Sequence, residues 1–152
     1  MKILDVLNKD AINIDLKARD KKGVIDELVA PVASIAGAGR DGLAKVLMER
    51  ERLGSTGIGG GIGIPHGKLK EIESLVLGFG LSRQGVDFES MDGRPTHIFF
   101  LLLTPENYAG VHLKLLARIS RLLKNDAFKD QLMRAESPDD ILSAIGNEDE
   151  EF

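Results

Sequence analysis

The sequence predicts an α/β domain with one sheet covered by helices. Two observations carry that expectation. Apolar residues at helical spacing alternate along the chain with short strand-like runs. Within T-H-I-F-F-L-L-L, residues Ile98 to Leu103 are apolar without interruption, as expected of a central strand buried on both faces. At 152 residues, 43% hydrophobic and 29% charged, the chain suits a single domain with one substantial core.

Ala11 to Leu16 alternates apolar and polar residues and reads as an edge strand. Asp20 is a helix N-cap, followed at helical spacing by Val24, Ile25, Leu28, Val29, Val32, Ile35 and Ala36. Pro31 falls inside this pattern and predicts a kink or break near Ala30. Asp41 opens a second helix with Leu43, Val46 and Leu47 inward and Gly54 past its end. Ser74 to Leu81 and Thr96 to Leu103 read as strands, with a short strand at Val86-Asp87-Phe88 and a turn at Asp92-Gly93 between them. Leu113, Leu115, Leu116, Ile119, Leu122 and Leu123 mark a long amphipathic helix. Asp126 caps a short helix carrying Phe128, Leu132 and Met133. Ser137-Pro138-Asp139-Asp140 is a strong helix start: a capping hydroxyl, proline in the first turn and acids at the positive dipole end. Gly146 ends that helix, so residues 1–146 form the domain and 147–152 an acidic tail expected to be disordered.

Composition removes several functional classes. With no cysteine there is no disulfide scaffold, thiolate metal site or thiol catalysis. Met1-Lys2-Ile3-Leu4-Asp5 has an acid within five residues and no apolar run, unlike a signal peptide. Ile98 to Leu103 is the longest apolar run and far too short to cross a bilayer. A net charge of −4, no Trp and few aromatics argue against nucleic acid as a partner. A cytoplasmic protein without membrane insertion is expected.

One segment stands apart. Gly54 to Lys68 reads G-S-T-G-I-G-G-G-I-G-I-P-H-G-K, with six glycines from Gly54 to Gly63. Such a run cannot build a core, but it lets backbone N–H groups approach an anion. Gly57, Gly59, Gly60 and Gly61 are therefore candidates for a phosphate cradle, with at least one of Gly59, Gly60 and Gly61 at positive φ. The dinucleotide fingerprint G-x-G-x-x-G fails at every offset: Ile62, Ile64 or His66 stands where its third glycine belongs. The P-loop fails because Gly67-Lys68 is followed by Leu69, and G-x-S-x-G is absent. No nucleotide or other cofactor is indicated.

His66 has two readings. It is a loop histidine tied to a carbonyl, or a neutral nucleophile beside the cradle. Pro65 and Gly67 restrict the backbone on either side and favour a dictated ring direction. His112, after Pro105-Glu106-Asn107, is a satisfied helix-start histidine or a second imidazole donating to a phosphoryl group. His97 starts the apolar strand and reads as structural. No H-x-H or H-E-x-x-H occurs, so no metal is expected. Arg50 and Arg52 both precede Ser55 and Thr56; either guanidinium suits a phosphate, and physics alone does not choose.

R-E-R-L-G-S-T-G-I-G-G-G-I-G-I-P-H-G-K-L, Arg50 to Leu69, resembles the active-site segment of the enzyme IIA family of the phosphoenolpyruvate-dependent phosphotransferase system, in its fructose/mannitol and nitrogen-regulatory branch. The rare I-P-H-G block makes the likeness specific. Thr104-Pro105 followed by V-H-L-K-L-L matches the family's second landmark. The resemblance spans essentially the whole chain, more weakly before Asp41. It implies an α/β sandwich around a mixed sheet. It implies His66 as the phosphorylated residue, His112 as the second active-site histidine, Arg50 as the arginine of the R-E block, and Thr56 as the threonine of the S-T-G step. Gly63 departs from the alanine usual in the family. G-S-T-G-I-G and H-G-K-L are most similar to the nitrogen-regulatory members, and no fused IIB, IIC or phosphocarrier segment is recognised. The implied partners are a histidine phosphocarrier protein and either a IIB unit or a regulated target. Stand-alone sugar-specific members exist, so a fructose/mannitol component remains the alternative.

Overall fold

The computed structural model describes residues 1–149. A short 3-10 turn, Ile3–Asp5, leads into β1 (Leu7–Asn13), α1 (Lys21–Ala36) and α2 (Arg40–Arg52). Next come β2 (Gly57–Gly59), β3 (Ile62–Gly63), β4 (His66–Leu69), β5 (Val76–Val86) and β6 (Thr96–Pro105). The chain closes with α3 (Ala109–Leu122), α4 (Asp126–Met133) and α5 (Pro138–Glu148). The sheet has six strands, ordered β1-β5-β6-β3-β2, with β4 also on β6. It is mixed: β1 runs parallel to β5, β5 antiparallel to β6, and β3 and β4 parallel to β6. The α/β class and mixed sheet are as expected, and β1 does lie at an edge.

β6 is the spine. Its unbroken apolar run supplies both faces, because strand side chains alternate. Ile98, Phe100 and Leu102 join a core with Leu115, Ile119, Phe128, Leu132 and Ile141 from α3, α4 and α5. Phe99, Leu101 and Leu103 join a second core with Val24, Ile25, Leu28, Leu43 and Leu47 from α1 and α2. Phe79 meets Phe100 edge-on at 5.1 Å on the first face, and Phe88 meets Phe99 likewise at 5.1 Å on the second. Gly80 of β5 lets α1 lie close, since a Cβ there would come within 2.5 Å of Leu28 Cδ2.

Several boundaries differ from expectation. α1 runs through Pro31 unbroken. Its buried face, Val24 to Ala33, spans both sides of the proline, and that packing outweighs the one missing backbone bond. β1 begins at Leu7 and stops at Asn13, its register with β5 broken between Leu7 and Ile12. Val86-Asp87-Phe88 is no separate strand: β5 extends to Val86, and Asp87 makes an isolated bridge to Asp20. Asn125, rather than Asp126, caps α4, accepting from the Ala127 and Phe128 amides. Asp20 and Ser137 cap as expected, accepting from Gly23 and Asp140.

The expected end at Gly146 is also corrected. α5 continues to Glu148, and Asp149 is buried. Its Oδ2 accepts from the Ile3 amide at 2.5 Å and its Oδ1 from Arg118 Nε at 3.2 Å. Those two partners order the segment that its acidity suggested would be loose. The remainder of the expected tail, residues 150–152, lies outside the described residues.

Candidate active site

Residues 57–69 run along β6 in two pieces. β2 and β3 form a small antiparallel hairpin, and β3 pairs with β6 at Ile98 and Phe99. The chain is interrupted at Ile64-Pro65. It then resumes as β4, with His66 opposite Leu102, Gly67 opposite Leu103 and Lys68 opposite Thr104. The Pro65 carbonyl accepts from the Leu102 amide at 3.0 Å and keeps the interrupted strand attached. His66 thus stands towards the carboxyl end of β6, where α/β sheets commonly hold ligands.

His66 is half-buried, and its Nδ1 lies 2.6 Å from the Ile64 carbonyl oxygen. A carbonyl only accepts, so Nδ1 carries the proton and Nε2 keeps a lone pair. Burial lowers the His66 pKa below its ordinary value; the Ile64 carbonyl opposes that, and Arg50 adds to it. His112 sits in the first turn of α3, 4% exposed. Its Nδ1 is 2.8 Å from Thr104 Oγ1. Burial, with His66 and Lys68 nearby, lowers its pKa to about 4. The two ring centroids are 5.4 Å apart, at an interplanar angle of 56°. Near neutral pH the pocket therefore holds two uncharged imidazoles.

Around them opens a cleft of about 600 Å³. Arg50 and Lys68 bring positive charge to it, and Val46, Leu53, Leu113 and Leu116 an apolar rim. Leu53 is 85% exposed and Leu113 65%, high values for side chains of that kind. The Arg50 Nη1 donates to the Gly54 carbonyl at 3.0 Å, folding the guanidinium back over the end of α2. Arg50, rather than Arg52, reaches the cleft. Among the described residues, no three His, Cys, Asp or Glu side chains gather to hold a metal ion.

The structure does not bring the expected cradle to this pocket. Gly59, Gly60 and Gly61 all have positive φ, at 94°, 65° and 81°, as anticipated for at least one of them. That conformation builds the hairpin tip. The Gly60 amide donates to Asp92 Oδ2 at 3.0 Å, its carbonyl accepts from Lys129 Nζ at 3.2 Å, and Gly61 lies against His97. Gly57 donates to Ser55 Oγ at 3.0 Å and packs on Ser90. None of Gly57, Gly59, Gly60 and Gly61 lines the His66 cleft, which Gly67 does. Thr56 is buried and does not line the cleft: its amide donates to Glu51 Oε1 at 3.1 Å and its hydroxyl to Glu51 Oε2 at 2.5 Å. Gly63, which departs from the family's usual alanine, is closely packed; a Cβ there would meet the Phe99 ring at 3.1 Å. His97 Nδ1 bonds the Ser82 carbonyl at 2.8 Å, the structural role expected of it. Sequence reading missed Lys68, Leu53 and Leu113. Lys68 was signalled by its place two residues after His66; nothing marked either leucine as a rim residue.

A mixed-sheet α/β domain with a tilted histidine pair at the end of its central strand defines the class. The comparisons give the family. Residues 5–148 match the model described as phosphoenolpyruvate-dependent sugar phosphotransferase system, EIIA 2. The chain is 40% identical over 145 residues to a nitrogen regulatory protein of Bradyrhizobium diazoefficiens, covering 95% of each. It is also 40% identical over 151 residues to the fructose-specific EIIABC component of Bacillus subtilis, covering 98% of this chain but only 24% of that longer protein. Among solved structures, the nitrogen regulatory protein IIA-Ntr of Neisseria meningitidis superposes with a TM-score of 0.88 at 28% identity, over 93% of this chain and 97% of that one. The chain belongs to the enzyme IIA family of the phosphotransferase system, in its nitrogen-regulatory, fructose and mannitol branch.

Proposed function

We propose that this protein accepts a phosphoryl group on Nε2 of His66 from a histidine phosphocarrier protein and signals through its phosphorylation state, as a nitrogen-regulatory IIA protein working in the cytoplasm. One observation carries the reading: the Ile64 carbonyl holds the proton on Nδ1, so the Nε2 lone pair is available beside a second neutral imidazole. In the step, the N–P bond of the phosphocarrier breaks as the P–Nε2 bond forms. No proton need move, because Nδ1–H stays on the Ile64 carbonyl. Transfer proceeds in line through a loose transition state whose charge spreads over the phosphoryl oxygens. Arg50 and Lys68 meet that charge. With the Thr104 hydroxyl donating to His112 Nδ1, His112 Nε2–H is free to donate to a phosphoryl oxygen. The exposed Leu53 and Leu113 give an incoming phosphocarrier an apolar rim to seat on.

The second reading is a sugar-specific component handing the phosphoryl group to a IIB unit. It is favoured by the 40% identity to the Bacillus subtilis fructose component, equal to that with the nitrogen regulatory relative. One experiment addresses both. The protein is incubated with phosphoenolpyruvate, enzyme I and the phosphocarrier, its intact mass is followed, and IIB acceptors are then added. A single acid-labile, alkali-stable phosphoryl group that IIB does not drain supports the regulatory reading. Rapid drainage into IIB supports the sugar-specific one. An unchanged mass refutes both.

A further inference from the structure

Behind the site lies a buried carboxylate that the transfer step does not use. Glu51, in the last turn of α2, is 6% exposed. Lys21, at the start of α1, is 8% exposed, with Nζ 3.1 Å from Glu51 Oε1. The same ammonium lies 3.4 Å from Glu89 Oε2 and 5.0 Å from the Phe88 ring centroid. Glu89 itself, at φ 54°, is the one non-glycine residue with positive φ among the described residues. A buried ion pair is a poor source of stability, since desolvation offsets its attraction. Its presence here fits a different task.

That task is visible in the bonding. Glu51 holds Thr56 at both its amide and its hydroxyl. The Thr56 carbonyl accepts from the Ile64 amide at 3.0 Å, and the Ile64 carbonyl accepts from His66 Nδ1 at 2.6 Å. We infer that Glu51, paired with Lys21, is a positioning residue for His66: through Thr56 and Ile64 it fixes the carbonyl that sets the ring's tautomer and direction. The inference rests on His66 as the phosphoryl acceptor. It also gives Glu51 a second effect. Forming P–Nε2 while Nδ1 keeps its proton leaves positive charge on the ring, and a buried anion nearby stabilises that charge. Burial holds the His66 pKa down, whereas Glu51 acts in the opposite direction, against Arg50 and Lys68.

The test uses histidine nitrogen NMR on the unphosphorylated protein beside single-turnover transfer from the phosphocarrier. Glu51→Gln keeps the shape and removes the charge; Thr56→Val keeps the Lys21–Glu51 pair and removes only the hydroxyl. In Glu51→Gln the His66 pKa drops further, the Nδ1–H tautomer is less populated, and transfer slows about 10²-fold with KM for the phosphocarrier unchanged. Thr56→Val slows transfer less and leaves the His66 pKa in place. If Glu51→Gln strands Lys21 and fails to fold, the Lys21→Met/Glu51→Gln double variant removes both charges and carries the same measurements. Folded variants with wild-type tautomer, titration and rate overturn the inference. Absence of phosphorylation in the wild-type protein is a separate failure, of the proposed function; the imidazole measurements still decide whether Glu51 governs His66.

Discussion

β3 and β4 run side by side with the same strand, in the same direction, only two residues apart in sequence. The first belongs to a hairpin of glycines and the second carries His66. The glycine piece is the conspicuous one in the sequence, but its Gly60 and Gly57 amides donate to Asp92 and Ser55. The plain piece, H-G-K-L, sits where β6, α2 and α3 converge and where two imidazoles, an arginine and a lysine meet. Access to the histidine cleft therefore depends on where a backbone segment ends up along the central strand. Poverty of side chains alone does not confer it.

The sharpest way to break this comparison is to substitute each piece in turn. His66→Ala should abolish phosphorylation while the fold survives. Gly60→Ala, in the other piece, should leave labelling per folded molecule unchanged. Labelled His66→Ala protein, or unlabelled but folded Gly60→Ala protein, would reverse the roles of the two segments.

Next in size is His112→Ala. On the proposed mechanism it leaves the acceptor but removes a donor to the charge that builds during transfer, and should slow exchange by about 10²–10³, roughly 3–4 kcal/mol. Wild-type exchange in both directions would return His112 to a structural role on Thr104. Smaller again is the stability cost of Gly60→Ala, about 1 kcal/mol, because the residue stands at φ +65° with room for a methyl group. Denaturant unfolding measures it.

A further effect is that of pH. His112 binds its proton less readily folded, at about 4, than its ordinary value of 6.5. Between those values the unfolded chain holds more protons, so stability rises with pH through that window and falls as pH drops from 6.5 towards 4. His66 adds in the same direction. His112→Asn should flatten the slope; an unchanged slope would assign acid sensitivity elsewhere.

Much of the fold was legible. The continuous apolar run of β6 and the helical spacing after His112 correspond to the central strand and to α3. The hairpin strands and β4 were not, because glycine has little strand propensity and their pairing is set by β6, a partner remote in sequence. The histidine pair was legible through the family motif, whereas its 5.4 Å approach depends on Leu102 and Thr104 of β6, which no spacing encodes. In the sequence Glu51 is one of several charged residues between Glu49 and Arg52, with nothing to single it out. Only the arrival of Lys21 and Thr56 from separate segments turns it into a buried group.

The Asp149 carboxylate grips the Ile3 amide and Arg118 together. Ile3 and Asp149, near the two ends of the described chain, consequently lie side by side, as is common for domain termini. A unit with its two leads side by side can be spliced into a longer polypeptide without stretching or threading its sheet. The fructose-specific EIIABC component of Bacillus subtilis is a longer polypeptide of which this chain matches 24%.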